Sequence, residues 1–207
     1  MWKTRPVLIL ASQSQTRRNL LASAGFAVVC EAARIDERTL EDRFRREGAP
    51  PAEIARRLAT AKAEAVAARH PEAVIIGADQ VLVVEHEVLH KPRDLAAARA
   101  QLDRLRGRAH ALHAGVALAV AGRSVWDHVE TAELVMHTFS DAERDAILAA
   151  EGQSVLGCVG SYRLEGPSVR LFESVRGDYF TILGLPLLPL LHALRRFAAD
   201  EMESIEP

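Results

Sequence analysis

Val7-Leu8-Ile9-Leu10-Ala11 is an apolar run that passes, with no turn residue between, into Ser12-Gln13-Ser14 and then a helical pattern. A run this short, bounded by polar residues, reads as a buried strand. Leu20, Leu21 and Ala24 recur at helical spacing; Ser12 or Ser14 suits the N-cap and Gly25 the C-cap. The same sequence of elements then repeats. Ala27 to Cys30 reads as a second strand, and Pro50-Pro51 opens an alanine-rich helix that runs to about Arg69 and is ended by Pro71. Val74-Ile75-Ile76 is a buried strand that stops at Gly77-Ala78-Asp79-Gln80, with strand resuming over Val81 to Val84. Strand and helix in alternation confine the chain to an α/β architecture with helices packed on a sheet.

The second half changes texture. Asp94 to Leu105 is a capped helix closed by Gly107, and Ala111–Val120 and Ser124–Met136 read as strands joined at Ala121-Gly122-Arg123. A hairpin added to parallel strands makes the sheet mixed. Ser140-Asp141-Ala142-Glu143 is a capping box, so a helix is expected from Asp141 to about Ala150. Gly152 to Gly166 is glycine-rich and expected to line a cavity or form tight turns. Gly184-Leu185-Pro186-Leu187 starts a closing helix, with proline near its first turn and a leucine stripe behind it. The expectation is one domain over residues 1–207: a mixed, twisted sheet flanked by helices, in two lobes, with an acidic tail over 200–207.

Bulk properties exclude more than they assign. A formal charge of -2 gives no general attraction to nucleic acid or an anionic membrane, and aromatics at 5% leave few stacking platforms. Arg104-Leu105-Arg106-Gly107-Arg108 is only a small basic patch. Cys30 and Cys158 are too few for a metal site or a disulfide framework, which fits a reducing cytoplasm. The apolar run after Pro6 is too short for a signal-peptide core, and no stretch approaches a membrane span. A cytoplasmic protein without a nucleic-acid or membrane partner is expected. The apolar hairpin from Val116 to Met136 offers a surface on which two copies could pair.

Polar groups cluster where strands end, the place where open α/β folds bind ligands. Ser12, Ser14, Arg17 and Arg18 follow the first strand, Asp36-Glu37 the second, and Asp79-Gln80 interrupt the third. Two arginines in the first turn of a helix oppose its dipole, a cost that a bound phosphate would reverse. Asp79 carries the sharpest signal, because a carboxylate inside a run of Val, Ile and Leu is costly to bury unless paired or liganded. Lys62 and Lys91 add cations. Each has a plainer reading: Asp36-Glu37 as surface decoration, Lys62 as a solvated helix residue, Lys91 as a turn residue before Pro92. Taken together, the cations suit phosphate and the carboxylates suit a divalent metal completed by substrate oxygens. The eight histidines show no metal-ligand spacing; His110 and His113 read as edge or core residues.

Assembled, these residues resemble the Maf family of nucleoside triphosphate pyrophosphatases, the septum-formation-inhibitor-like proteins. Leu10-Ala11-Ser12-Gln13-Ser14, Arg17-Arg18, Leu20-Leu21 and Gly25 match the family's opening pattern. Asp36-Glu37, Leu58-Ala59-Thr60-Ala61-Lys62-Ala63, Gly77-Ala78-Asp79-Gln80 and Lys91-Pro92 follow in order. Val159-Gly160-Ser161-Tyr162 through Glu165-Gly166, and Gly177-Asp178-Tyr179-Phe180 through Gly184-Leu185-Pro186-Leu187, match its C-terminal half. The resemblance implies a Maf/ITPase-like fold with the nucleotide in a cleft between two lobes. It also implies a house-cleaning hydrolase, dependent on Mg²⁺, Mn²⁺ or Co²⁺, that cuts nucleoside triphosphates between α- and β-phosphate. Asp79 would be proton acceptor or metal ligand, with Glu37 beside it at the metal. Ser12, Ser14, Arg17, Arg18, Lys62 and Lys91 would hold the triphosphate.

The resemblance ties base choice to Thr16, Gln80 and Glu165. Gln80 and Glu165 look like the branch preferring 7-methyl-GTP, whereas the branch cleaving dTTP and UTP carries Thr and Gln there. Thr16 fits neither branch cleanly, and Gln15 stands where members often carry proline. Chemistry supports a guanine preference: guanine offers N1–H and an exocyclic amine together to a carboxylate, and methylation at N7 adds positive charge. Thymine and uracil present acceptors that would repel Glu165. A different class of reading is a regulatory protein of cell-division arrest on the same fold, with nucleotide merely a ligand.

Overall fold

The computed structural model describes residues 7–198, so the expected acidic tail over 200–207 lies outside the described residues. Strand β1 (Leu8–Ala11) is buried at all four positions, as the uninterrupted apolar run requires. It pairs in parallel with β2 on one side and β3 (Val74–Val84) on the other. β2 is only Val29–Cys30, shorter than expected and exposed. Helix α1 (Gln15–Ser23) takes Ser14 rather than Ser12 as its N-cap, the Ser14 Oγ accepting from the Arg17 N–H at 3.4 Å. Its C-cap is Ala24, and Gly25 follows at φ 87.

A helix and a strand in the first half also differ from expectation. Glu37–Arg46 forms helix α2, capped by Asp36, whose side chain accepts from the Thr39 N–H. Its charged sequence hides the helical period: Phe44 is its one buried apolar side chain, lying under the guanidinium groups of Arg43 and Arg57 at 4.8 and 5.4 Å. The third strand does not stop at Gly77. β3 runs through Gly77-Ala78-Asp79-Gln80 unbroken, because the Asp79 carboxylate meets an ammonium group and has no need to leave the buried ladder.

Helix α3 (Pro51–Ala67) starts on proline and presents Ala55, Ala59, Ala63 and Ala67, all fully buried, at every fourth residue. That flat face lets the helix lie directly on sheet backbone. A Cβ on Gly77 would sit 2.1 Å from the Ala59 carbonyl oxygen, and one on Gly115 would sit 2.3 Å from that of Ala55. Glycine at these two positions is what admits the helix so close.

The remaining strands are β4 (Glu87–Leu89), β5 (Ala109–Val120), β6 (Arg123–Met136) and β7 (Phe172–Arg176). They complete a seven-stranded sheet in the order β2-β1-β3-β5-β6-β7, with β4 paired to β3. β3–β4 and β6–β7 are antiparallel, so the sheet is mixed as expected. β5 and β6 are joined by Ala121-Gly122, both with positive φ (51 and 75), the twist a tight hairpin needs. Helices α4 (Leu95–Leu105), α5 (Asp141–Glu151) and α7 (Leu187–Phe197) follow the predicted caps: Asp94, the Ser140 capping box, and Pro186 ahead of the closing helix; α6 (Tyr179–Ile182), capped by Asp178, is a short helix that the sequence reading lacks. Gly152–Gly157 and Pro167–Leu171 are 3-10 turns.

Contacts divide the described residues into two compact units, 7–79 with 114–130 and 184–198, and 80–113 with 131–183. The first is cored by the α3 alanines against Ile9, Ala11, Ile75, Ala117 and Ala119. The second is cored by Leu82, Leu102, Leu105, Leu112, Leu134 and Phe139.

Candidate active site

In the first unit the close seat of α3 on β3 has a chemical consequence. Leu58, Lys62 and Val66 lie one helical turn apart and all are buried. Lys62 is therefore carried inward on an apolar stripe, and the reading of it as a solvated helix residue is excluded. Its Nζ donates to Asp79 Oδ1 at 2.6 Å and lies 2.9 Å from Glu37 Oε2. Lys62 and Asp79 side chains are 9% and 11% exposed, Glu37 53%, so the Asp79 pair sits in a low dielectric and the Glu37 pair faces water. Helix α2 brings Glu37 here: Asp36 spends its carboxylate on the cap and on the Thr39 hydroxyl, while Glu37 in the first turn reaches the ammonium. The adjacent acids thus have separate duties.

Arg17 is the second buried cation. Nε donates to the Gly184 carbonyl at 2.7 Å, and one terminal nitrogen, Nη1, donates to Ser12 Oγ at 3.1 Å and the Ala78 carbonyl at 3.0 Å. Nη2 has no hydrogen-bond partner among the described residues. Burial lowers the Arg17 pKa below its usual value, opposed by the charges of Asp79 and Glu37. Ser12 Oγ also accepts the Ser14 N–H at 3.2 Å, which ties the Ser-x-Ser loop to the guanidinium. Arg18 points outward, exposed, and Thr16 is half-buried. Ser12, Arg17, Glu37, Lys62 and Asp79 thus form one neighbourhood of two buried cations and two carboxylates, with Ser14 as the cap of its helix.

The second unit holds the other candidates. Gln80 turns its amide to backbone, Nε2 donating to the carbonyls of Thr181 at 3.2 Å and Ile182 at 3.0 Å. Glu165 lies 3.3 Å from Arg163 Nε. Arg163 Nη1 in turn lies 3.3 Å from Glu151, whose fully buried carboxylate accepts from the Ser168 N–H at 3.0 Å and hydroxyl at 2.7 Å. Lys91 is exposed, and it and Glu165 both act electrostatically on Cys158. The Cys158 thiol is pushed up to about 11, by burial first and then by Glu165, with Arg163 and Lys91 opposing. Arg163 and Glu151 carried no signal in the sequence; a carboxylate closing a helix and an arginine in a loop match any solvated surface.

Among the described residues no three of His, Cys, Asp and Glu come together as a metal cage. The chemistry that remains is two hard carboxylates already gathered about one positive group, a donor set that suits a cation sharing its coordination with phosphate oxygens. His110, buried, bonds through Nε2 to the Tyr162 hydroxyl at 2.9 Å and packs against Phe172, a core role as expected. No described helix is long and apolar enough to cross a membrane.

The chain thus combines a mixed α/β sheet with a Ser-x-Ser loop, a buried arginine, and a buried lysine that gathers Asp79 from within β3 and Glu37 from the first turn of α2. The family model described as Maf-like protein matches residues 7–197, and the chain belongs to this family. It is 47% identical over 94% of its length, and 98% of the relative's, to the 7-methyl-GTP pyrophosphatase of Rhizobium meliloti (strain 1021). It is 48% identical over 93% of its length, and 98% of the relative's, to the nucleoside triphosphate pyrophosphatase of Granulibacter bethesdensis. The 7-methyl-GTP pyrophosphatase of Brucella abortus biovar 1 is 44% identical over 91% of this chain and 95% of its own.

Proposed function

We propose that this protein is a divalent-metal-dependent nucleoside triphosphate pyrophosphatase with a preference for guanine-type bases, 7-methyl-GTP above dTTP and UTP. The observation that carries the reading is the buried Lys62–Asp79 pair, with Glu37 on the same ammonium and Arg17 beside it. The names of relatives near half identity support the substrate class.

In the reaction, a water oxygen bonds to phosphorus and the bridging P–O bond between α- and β-phosphate breaks. Pyrophosphate leaves with the electron pair, and the nucleoside monophosphate carries the new oxygen. Phosphoryl chemistry of this kind is mostly positioning and neutralisation of charge. Arg17, fixed at Nε and Nη1, offers Nη2 to a phosphate oxygen, with the Ser12–Ser14 loop behind it; Arg18 and Lys91 supply exposed positive charge. Lys62 occupies Asp79 Oδ1, which leaves Oδ2 to take a proton from the attacking water or to hold a cation with Glu37. A divalent ion there would neutralise phosphate charge and acidify bound water. Gln80 retains Oε1 for a base donor, and Glu165 is the group expected to accept from guanine N1–H and the exocyclic amine.

The test is turnover of GTP, 7-methyl-GTP, dTTP, UTP, CTP and ATP with Mg²⁺, Mn²⁺ or Co²⁺, before and after chelation. Guanine-type substrates should lead, chelation should stop turnover, and re-added metal should restore it. Faster cleavage of dTTP than of any guanine nucleotide would overturn the base preference. No turnover with any metal would leave a regulatory nucleotide-binding protein as the better reading.

A further inference from the structure

Two groups of the second unit that have no part in the reaction described above, the His90 carbonyl and the Ser161 hydroxyl, meet at one side chain. Gln101, half-buried on α4, uses both ends of its amide: Nε2 donates to the His90 carbonyl, and Oε1 accepts from the Ser161 hydroxyl at 2.6 Å. His90 immediately precedes Lys91, the exposed cation proposed for the triphosphate. Ser161 is completely buried and holds φ 59, a left-handed conformation that a serine keeps only where its surroundings impose it. The next residue, Tyr162, is pinned by its hydroxyl to His110 at 2.9 Å. The Gly160–Ser161–Tyr162 turn is therefore clamped on both sides, and the chain leaves it directly into Arg163, Leu164 and Glu165.

We infer that Gln101 is a positioning residue for nucleotide binding, joining the segment that carries Lys91 to the turn that aims Glu165. The inference rests on the functional reading above and adds a residue that it leaves out. A carboxamide suits the task because it donates to one backbone and accepts from the other hydroxyl, a combination no charged or apolar side chain of that length provides. Lys91 and Glu165 both lie within electrostatic reach of Cys158, which puts the two groups that Gln101 would register in one neighbourhood. Gln101 has no part in the chemistry assigned to Asp79, Lys62, Glu37 and Arg17, so a loss there should appear in binding before it appears in turnover.

Three variants separate the two ends of the clamp. Gln101→Met keeps length and removes both bonds. Gln101→Glu keeps the acceptor for Ser161 and sets a carboxylate oxygen against the His90 carbonyl. Ser161→Ala releases only the turn. With the wild type's best substrate, Gln101→Met should raise KM about tenfold with kcat within about twofold, the loss of roughly two hydrogen bonds' worth of positioning. Inorganic pyrophosphate, which has no base, reads the Lys91 end alone as an inhibitor. Its inhibition constant should rise in Gln101→Met and Gln101→Glu and stay at the wild-type value in Ser161→Ala. The ratio of 7-methyl-GTP to UTP cleavage should fall in Ser161→Ala and Gln101→Met and hold in Gln101→Glu. Wild-type KM, inhibition constant and base ratio in Gln101→Met would overturn the inference while leaving the enzyme reading intact. An equal fall in kcat for every substrate, tracking a lowered melting temperature, would show Gln101 to be structural only. A wild-type protein that hydrolyses no nucleotide would remove the functional reading and this inference with it.

Discussion

Replacing Asp79 by Asn separates chemistry from architecture, because the side chain is at once a candidate acid–base or metal group and half of a buried ion pair. The change is nearly isosteric and Asn Oδ1 can still accept from Lys62, so the hydrogen bond at 2.6 Å survives and the charge does not. Removing one partner of a buried pair costs about 3–5 kcal/mol when the other charge is left alone. Here Lys62 keeps Glu37 at 2.9 Å, but Glu37 is half exposed and screened, so the relief is partial. With acceptor and second carboxylate retained, about 1–3 kcal/mol of stability should be lost. For a chain of this size that lowers the melting temperature by about 3–10 °C and leaves it folded at 25 °C. Turnover should fall by about 10³-fold or more, as expected for a group that moves a proton or holds the metal. The double variant Asp79→Asn with Lys62→Met closes a thermodynamic cycle. The two changes should be less than additive by about 1–3 kcal/mol, the range for residues in direct contact. Urea unfolding and steady-state kinetics on the same four proteins read both quantities. Stability should recover in the double variant and activity should not. Recovery of activity together with stability, or additive costs, would refute the assignment of Asp79 to the chemistry.

Other perturbations follow from the same geometry. Gly77→Ala puts a methyl group 2.1 Å from the Ala59 carbonyl oxygen, so α3 must lift off β3; a loss of about 1–3 kcal/mol is expected, with a fall in kcat as Lys62 moves, read by urea denaturation and kinetics. Burial lowers His110 from 6.5 to about 4, so the folded protein keeps it neutral while the unfolded chain protonates it below about 6.5. Stability from this group is complete above that pH and declines towards 4, by about 2 kcal/mol between 6.5 and 5; unfolding curves at pH 7 and 5 should show it, and His110→Gln should flatten the dependence. Glu165→Gln removes the charge that a methylated guanine would favour, so 7-methyl-GTP should lose ground to UTP in a direct competition assay, whereas an unchanged ratio would remove Glu165 from base reading.

Much of this fold could be read from local signals. Alternating strand and helix patterns, the Asp94 and Ser140 caps and the Ala121-Gly122 turn all stood in the sequence, because each depends on residues within a few positions of itself. The failures share a cause. Helix α2 was invisible because its lone buried apolar residue, Phe44, is covered by arginines from its own helix and from α3. The strand through Asp79 looks broken in the sequence because its carboxylate is neutralised by Lys62, a partner distant in sequence. The site follows the same division. Asp79 drew notice as a charge in an apolar run, whereas the burial of Lys62 required knowing which face of an alanine-rich helix meets Gly77 and Gly115. Gln101, Arg163 and Glu151 act through tertiary contacts alone and left no pattern to find.

Cleavage between α- and β-phosphate leaves products that no other cut of a nucleoside triphosphate gives. Phosphorus NMR of GTP incubated with the purified protein and Mg²⁺ resolves pyrophosphate from orthophosphate without separation. GMP and pyrophosphate should form in equal amounts, as cleavage at that bond requires, with no signal growth when Asp79→Asn replaces the wild type. GDP and orthophosphate, or pyrophosphate formed equally fast by Asp79→Asn, would contradict it.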